Sequence, residues 1–159
     1  MSISIITPDL WQEIVAIQTE VYGSGFHEDL DVLKSKWLVS PETCLVYKSE
    51  NRIDAYLLAH AWNSELPPKL FQALTPDVKG NILFLHDLAV SSRAKSLGVG
   101  SLLVSQLLTI ARTNKYTKVI LVSVQSSVAF WLKMNFELME DQPINNSYGN
   151  DARVMMFIL

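Results

Sequence analysis

The sequence predicts a mixed α+β fold: a mostly antiparallel central sheet flanked by helices, with a parallel βαβ core at residues 82–124. Three observations predict it. Ile82–Val90 and Val119–Val124 are apolar runs of strand length, the latter apolar at every position but Ser123, as suits a strand buried on both faces. Between them, Gly98–Arg112 carries Val99, Leu102, Leu103, Leu107, Ile110 and Ala111 at helical spacing, so the two strands should be parallel and the crossover right-handed. The runs before and after this unit read as antiparallel.

Each element follows from local chemistry. Ile3–Ile6 is a short first strand. Thr7-Pro8-Asp9 is a helix start, with a cap candidate, proline at the first helical position and an acid in the first turn. Leu10, Ile14, Ile17 and Val21 then recur at helical spacing until Tyr22-Gly23-Ser24-Gly25 breaks the pattern. Asp29–Val39 suits a second helix with Leu30, Leu33, Trp37 and Leu38 inward, ended by Pro41. Cys44–Lys48 and Ile53–Trp62 form a hairpin around Glu50-Asn51-Arg52. Asn63–Asn81, with Pro67-Pro68, Pro76 and Gly80, is a connection long enough to be functional or mobile. After the strand to Val124, Ser126 and Ser127 cap a helix from Ser127. A last strand pair lies near Phe136–Glu140 and Ala152–Leu159.

At 159 residues, with 49% apolar and 18% charged residues, the chain reads as a single globular domain, 1–159. No apolar run reaches membrane-spanning length, and Met1–Ile6 lacks the basic region and cleavage site of a signal peptide. Cys44 stands alone, which fits a reducing cytoplasm. A net charge of −3 without a Lys/Arg block argues against nucleic-acid binding. His27, His60 and Cys44 show no metal-ligand spacing, so no metal is assigned.

The join between strand and helix carries the chemistry. Ser91–Leu97 is a polar loop, and Gly98-Val99-Gly100-Ser101 opens the helix. Glycines there let an anion approach the backbone, where the first N–H groups of a helix lack partners and face the positive end of its dipole. A dinucleotide fingerprint would need glycine at Leu103, and a P-loop would need Gly-Lys-Ser/Thr, which is absent. What remains is a basic residue, two spacers, Gly, one spacer, Gly: Lys95-Ser96-Leu97-Gly98-Val99-Gly100.

That loop, following a strand that ends Leu88-Ala89-Val90, resembles the pyrophosphate loop of the GNAT superfamily of acetyl-CoA-dependent N-acetyltransferases. Ser127–Phe136 is similar to the superfamily's Ala-x-x-Phe-Tyr-Glu-Lys-x-Gly-Phe helix. Leu85–Val90 with Phe130-Trp131 is similar, more weakly, to the arylalkylamine N-acetyltransferase branch. The matching motifs span Ile82–Phe136, about a third of the chain. Four positions depart from the pattern: Lys95 replaces the usual Arg, Ser96 a common Gly, Trp131 the Tyr that often serves as general acid, and Asn135 a Gly. The resemblance implies a GNAT-like acyl-CoA N-acyltransferase fold in which the parallel strands splay. The pantetheine arm then enters the gap and bonds like an extra strand near Leu88–Val90. It implies acetyl-CoA as co-substrate, held by Leu88, Ala89, Val90, Lys95, Ser96, Leu97, Gly98, Val99, Gly100 and Ser101, with Gln125 and Phe130 alongside. It also makes Asn63–Asn81 a lid or acceptor wall, the alternative being a solvated surface loop.

Acetyl transfer to an amine needs a polarised carbonyl, a deprotonated amine and a thiolate able to leave. A backbone N–H of Leu88–Val90 could polarise the carbonyl. His86 is the general-base candidate, directly or through water, or else a satisfied core histidine. Asp87 lies on the opposite strand face from His86 if the strand is regular, and binds a cationic amine or bonds backbone. Tyr148 could replace the acid missing at Trp131, or be a turn residue covering the core. Trp131 is expected as core or cavity wall, because indole N–H does not readily give up its proton. The expected acceptor is a small-molecule primary amine. A protein N-terminus or lysine uses the same apparatus, and loss of the Tyr leaves a non-catalytic acyl-CoA sensor as a third reading. A homodimer is compatible with the sequence.

Overall fold

The computed structural model describes residues 1–140 and 142–159. Its strands are β1 (Ser2–Ile5), β2 (Leu45–Ser49), β3 (Arg52–Trp62), β4 (Ile82–Val90), β5 (Lys118–Ser123), β6 (Glu137–Leu138) and β7 (Arg153–Ile158). Its helices are α1 (Trp11–Tyr22), α2 (Leu30–Val39), α3 (Val99–Thr113) and α4 (Val128–Lys133). One seven-stranded sheet runs β1-β2-β3-β4-β5-β7-β6. Every pair is antiparallel except β4 and β5. The predicted class and the parallel core at 82–124 are therefore observed.

Side-chain alternation puts a core on each face. Leu57, Leu83, Leu85, Leu103, Leu107 and Leu121 pack beneath α3 and α4. Ile14, Ile17, Leu33, Val46, Tyr56 and Leu58 pack beneath α1 and α2. The helices differ from expectation in detail. Pro8–Leu10 is a 3-10 turn, and Thr7 Oγ1 donates to Asp9 Oδ1 at 2.5 Å instead of capping a backbone N–H. The buried residues of α2 are Val32, Leu33, Ser35 and Lys36, while Leu38 is 71% exposed. Two polar residues can turn inward because the 63–81 connection meets them. Leu74 N–H donates to Ser35 Oγ, and Lys36 Nζ donates to the Gln72 carbonyl at 2.9 Å. On α3, Val104 and Leu108 join the buried stripe and Leu102 leaves it, half exposed. Ser127 does not cap α4 through its side chain; its hydroxyl donates back to the Val124 carbonyl.

Two irregularities in β4 position the site. Its parallel register with β5 covers only Ile82–Leu85 against Lys118–Leu121. Beyond Leu85 the strands part, so one edge of His86–Val90 has no strand partner while the other still pairs with β3. On that β3 side, Leu58 opposes Asp87 and Ala59 opposes Leu85, leaving His86 as the extra residue of a β-bulge. The bulge inverts the alternation: Leu85 packs toward α3, yet Ala89 belongs to the opposite core, and Leu88 and Val90 take the α3 side. Asp87 is thus on the same side as His86, correcting the expectation for a regular strand.

Candidate active site

Where β4 and β5 part, a cavity of about 270 Å³ opens. His86, Leu88 and Val90 line it from β4, Val122 and Val124 from β5 and beyond, Gly100 from α3, and Gln125, Phe130 and Trp131 from the start of the last helical segment. Val90, Lys95, Ser96, Gly98, Val99, Gly100, Ser101 and Phe130 line an adjoining hollow at the head of α3. Val90, Gly100 and Phe130 belong to both, so the hollow at the head of α3 and the strand gap are continuous. Gly98 sits at φ +76, and a Cβ there would meet nothing within 4 Å, so backbone conformation is what requires glycine. A Cβ on Gly100 would lie 3.4 Å from Phe130 Cζ and 3.7 Å from Val90 Cγ2, at the junction itself. Ser96 also takes a left-handed conformation, at φ 64. Ala89 is buried in the other core and Leu97 is 70% exposed, so neither side chain reaches the cavity.

Two braces hold this loop that local sequence does not advertise. Glu20 of α1 accepts from Ser91 Oγ at 2.9 Å and from Ser92 N–H at 2.5 Å. Asp54 of β3 accepts from Arg93 Nε at 2.5 Å. Burial pushes both carboxyls up, but these bonds outweigh it: in Glu20 the Ser92 N–H dominates, and in Asp54 the Ser49 hydroxyl and Arg93 together hold the carboxyl below its ordinary range.

A second, smaller cavity of about 40 Å³ is lined by Tyr22, Phe26, Glu28, Leu70, His86, Asp87, Val122, Val124 and Tyr148. It shares Tyr22, His86, Asp87, Val122 and Val124 with the larger one, so the two meet at the bulge. The 63–81 connection walls it. Tyr148 Oη donates to the Pro68 carbonyl at 2.5 Å, Leu70 N–H to Ser147 Oγ, and Phe71 N–H to Glu28 Oε2 at 2.9 Å.

The catalytic candidates differ in how fully they are engaged. Asp87 is engaged at both oxygens: the Tyr22 and Tyr56 hydroxyls donate to them, each at 2.6 Å. Burial pushes this carboxyl up, and pushes both phenols well above their ordinary value. The Tyr148 phenol is likewise pushed up by burial, and its proton is already given to Pro68. His86 places Nε2 2.5 Å from Glu28 Oε1, and its buried Nδ1 has no hydrogen-bond partner. Glu28, just before α2, was missed by sequence reasoning. It lies 58 residues from His86, and its only local signal is an acid beside a helix start. Trp131 is buried edge-on against Phe130 and Phe136, as wall and core. Among the described residues no cluster of three His, Cys, Asp or Glu is placed to hold a metal, and no helix is long and apolar enough to cross a membrane.

Similar folds are known. The chain superposes on Ard1 from Thermoplasma volcanium with a TM-score of 0.77 at 17% identity, over 99% of this chain and 97% of that one. It superposes on the loading GNATL domain of CurA from Lyngbya majuscula with a TM-score of 0.83 at 10% identity, over 99% and 96%. PaiA N-acetyltransferase from Thermoplasma acidophilum, in complex with coenzyme A, gives 0.73 at 10% identity over 100% of both chains. At these identities the likeness is one of fold. Compared by sequence with curated proteins, the chain has no match. The sequence model of the acetyltransferase (GNAT) family, however, matches residues 11–136, which takes in both helices of the first half, the parted strands and the anion loop. The chain therefore belongs to the GNAT acetyltransferase family.

Proposed function

We propose that the protein transfers an acetyl group from acetyl-CoA to a primary amine of a small molecule, by direct attack of the amine on the thioester. The observation that carries this reading is the meeting of two cavities at His86. One is continuous with the anion loop; the other is small and walled by Phe26, Leu70 and Tyr148. The walled side suits a slender acceptor better than a folded protein surface.

In this reading the backbone N–H groups at the head of α3 take the pyrophosphate, with Lys95 beside them. The unpaired edge of His86–Val90 takes the pantetheine amides as an added strand. A free N–H on that edge polarises the thioester carbonyl. An alkyl amine titrates near 10.4, so only about one in two thousand is neutral at pH 7, a barrier contribution of roughly 4.6 kcal/mol. His86 removes that proton, directly or through one water. The amine nitrogen then bonds the carbonyl carbon, the C–S bond breaks, and the thiolate leaves. The adduct nitrogen gives up its second proton, through water, to this thiolate, whose pKa is near 8.5, so the products are the amide and the free thiol and no side-chain acid is needed. Asp87 anchors Tyr22 and Tyr56, and Tyr148 serves as wall.

The test is a panel of small amines and of N-terminal and lysine peptides, incubated with acetyl-CoA and read by release of free thiol. Turnover confined to small amines is expected. Turnover confined to peptides would overturn the acceptor class. Stoichiometric acetyl-CoA binding with no turnover would make the protein a sensor.

A further inference from the structure

We propose that Glu28 is a positioning residue for His86: it holds the imidazole with its proton on Nε2, leaving the Nδ1 lone pair to accept the proton of the acceptor ammonium. The proposal rests on the acyl-transfer reading for its chemistry, and on geometry alone for the tautomer. His86 Nε2 lies 2.5 Å from Glu28 Oε1, and both side chains are almost wholly buried. Nδ1 is buried with no partner, while His86 lines both cavities. A carboxylate cannot donate, so the ring nitrogen facing it must.

Glu28 is itself held rigidly. Its backbone is clasped by Gln18 of α1, which accepts from Glu28 N–H at 2.8 Å and donates to the Glu28 carbonyl at 3.1 Å. Its Oε2 accepts from Phe71 N–H at 2.9 Å. Burial pushes the Glu28 carboxyl up, but His86, the Phe71 N–H and Lys36 of α2 outweigh it and keep the group ionised. The remaining titratable neighbours among the described residues are Asp87 of β4, Tyr56 and His60 of β3, Tyr22 of α1 and Tyr148. Burial takes His60 down to about 3, so it stays neutral and does not compete for the proton. Regular alternation from Leu85 puts His86 on the face where Glu28 lies, and the bulge adds Asp87 to that same face.

When the ammonium loses its proton, that proton goes to Nδ1 and the nitrogen keeps its electron pair for attack on the thioester. Glu28 gains no proton. It faces an imidazolium that it stabilises across an existing hydrogen bond.

Glu28→Gln tests this sharply. Phe71 N–H still needs an acceptor, so the amide oxygen stays there and the NH₂ turns to His86. Nε2 must then carry the lone pair and Nδ1 the proton, the wrong tautomer for a base. An amide behind a catalytic histidine lowers kcat by up to about 10⁴-fold in a comparable arrangement. We expect a fall of about 10²-fold or more in kcat, with little change in KM and unchanged calorimetric CoA binding. In the His86→Ala background the same substitution should cost less than about twofold. Imidazole ¹⁵N NMR of the wild-type protein, without any substrate, should show His86 protonated on Nε2, shifting toward Nδ1 in Glu28→Gln. Glu28→Asp, still anionic, should recover part of kcat. A wild-type ring protonated on Nδ1 would overturn the proposal whether or not an acceptor is found, as would an equal loss with and without His86. Correct tautomers in a protein that acetylates no amine would instead leave the pair in place and sink the acyl-transfer reading.

Discussion

The two walls of the cleft are built in opposite ways. The wall proposed for the cofactor is contiguous: Lys95–Ser101 forms one loop and helix start. The wall proposed for the acceptor is assembled from distant pieces. Glu28 precedes α2, His86 and Asp87 sit in β4, Leu70 comes from the long connection, and Tyr148 from near the C-terminus. The first wall should tolerate side-chain change except at Gly98, which sits at φ +76, and Gly100, where a Cβ would lie 3.4 Å from Phe130. The second depends on several buried polar groups satisfying one another, so each loss leaves a partner unsatisfied. Substitutions should therefore act on binding at the first wall and on turnover at the second.

The largest expected effect is at the acceptor wall. His86→Ala should lower turnover by about 10²–10⁴-fold and remove the acid limb of the pH–rate profile, with CoA binding retained. A folded variant with wild-type rate and profile would return His86 to the core. At the cofactor wall, Gly100→Val places a branched side chain against Phe130 and Val90, where loop and cleft join. Calorimetry should show CoA binding weakened at least tenfold, with kcat at saturating CoA changed less. Unaltered affinity would move the pyrophosphate elsewhere.

Two aromatic exchanges sharpen the contrast, one in each cavity: Tyr148 lines the smaller and Trp131 the larger. Tyr148→Phe removes the donor to the Pro68 carbonyl, and denaturant unfolding should show a loss of about 1–2 kcal/mol. The basic limb of the pH–rate profile should persist; its disappearance would make Tyr148 the acid after all. Trp131→Phe should mainly raise acceptor KM by a few-fold, and abolished turnover with CoA binding intact would refute its role as wall. The smallest effect is expected at Ser96, a non-glycine residue at φ 64. Ser96→Gly relieves that conformation at the expense of a more flexible unfolded chain, for a net change within about 1 kcal/mol. A larger loss of stability would mean that the hydroxyl itself holds the loop.

Most of the fold was legible because its signals are local. Apolar runs of strand length, helical spacing from Leu10 to Val21 and glycines after a strand each act within a few residues. Errors arose where tertiary partners overrode local preference. Lys36 lies buried in α2 because a backbone carbonyl of the 63–81 connection receives its ammonium, and no helical periodicity records that. Regular alternation puts Asp87 on the face opposite His86, and one extra residue in β4 reverses that.

The sequence by itself determined the class of fold, the βαβ core and the place of the glycine pair at the head of α3, because apolar runs, helical periodicity and glycine spacing are all written in consecutive residues. Tertiary structure alone decided which polar side chains meet. It brought Glu28 to His86 across 58 residues, gave both oxygens of Asp87 to tyrosines and tied Tyr148 to Pro68. The reason is that hydrogen bonds between buried side chains depend on strand register, bulges and loop closure. These are properties of the packed sheet, and no short stretch of chain contains them.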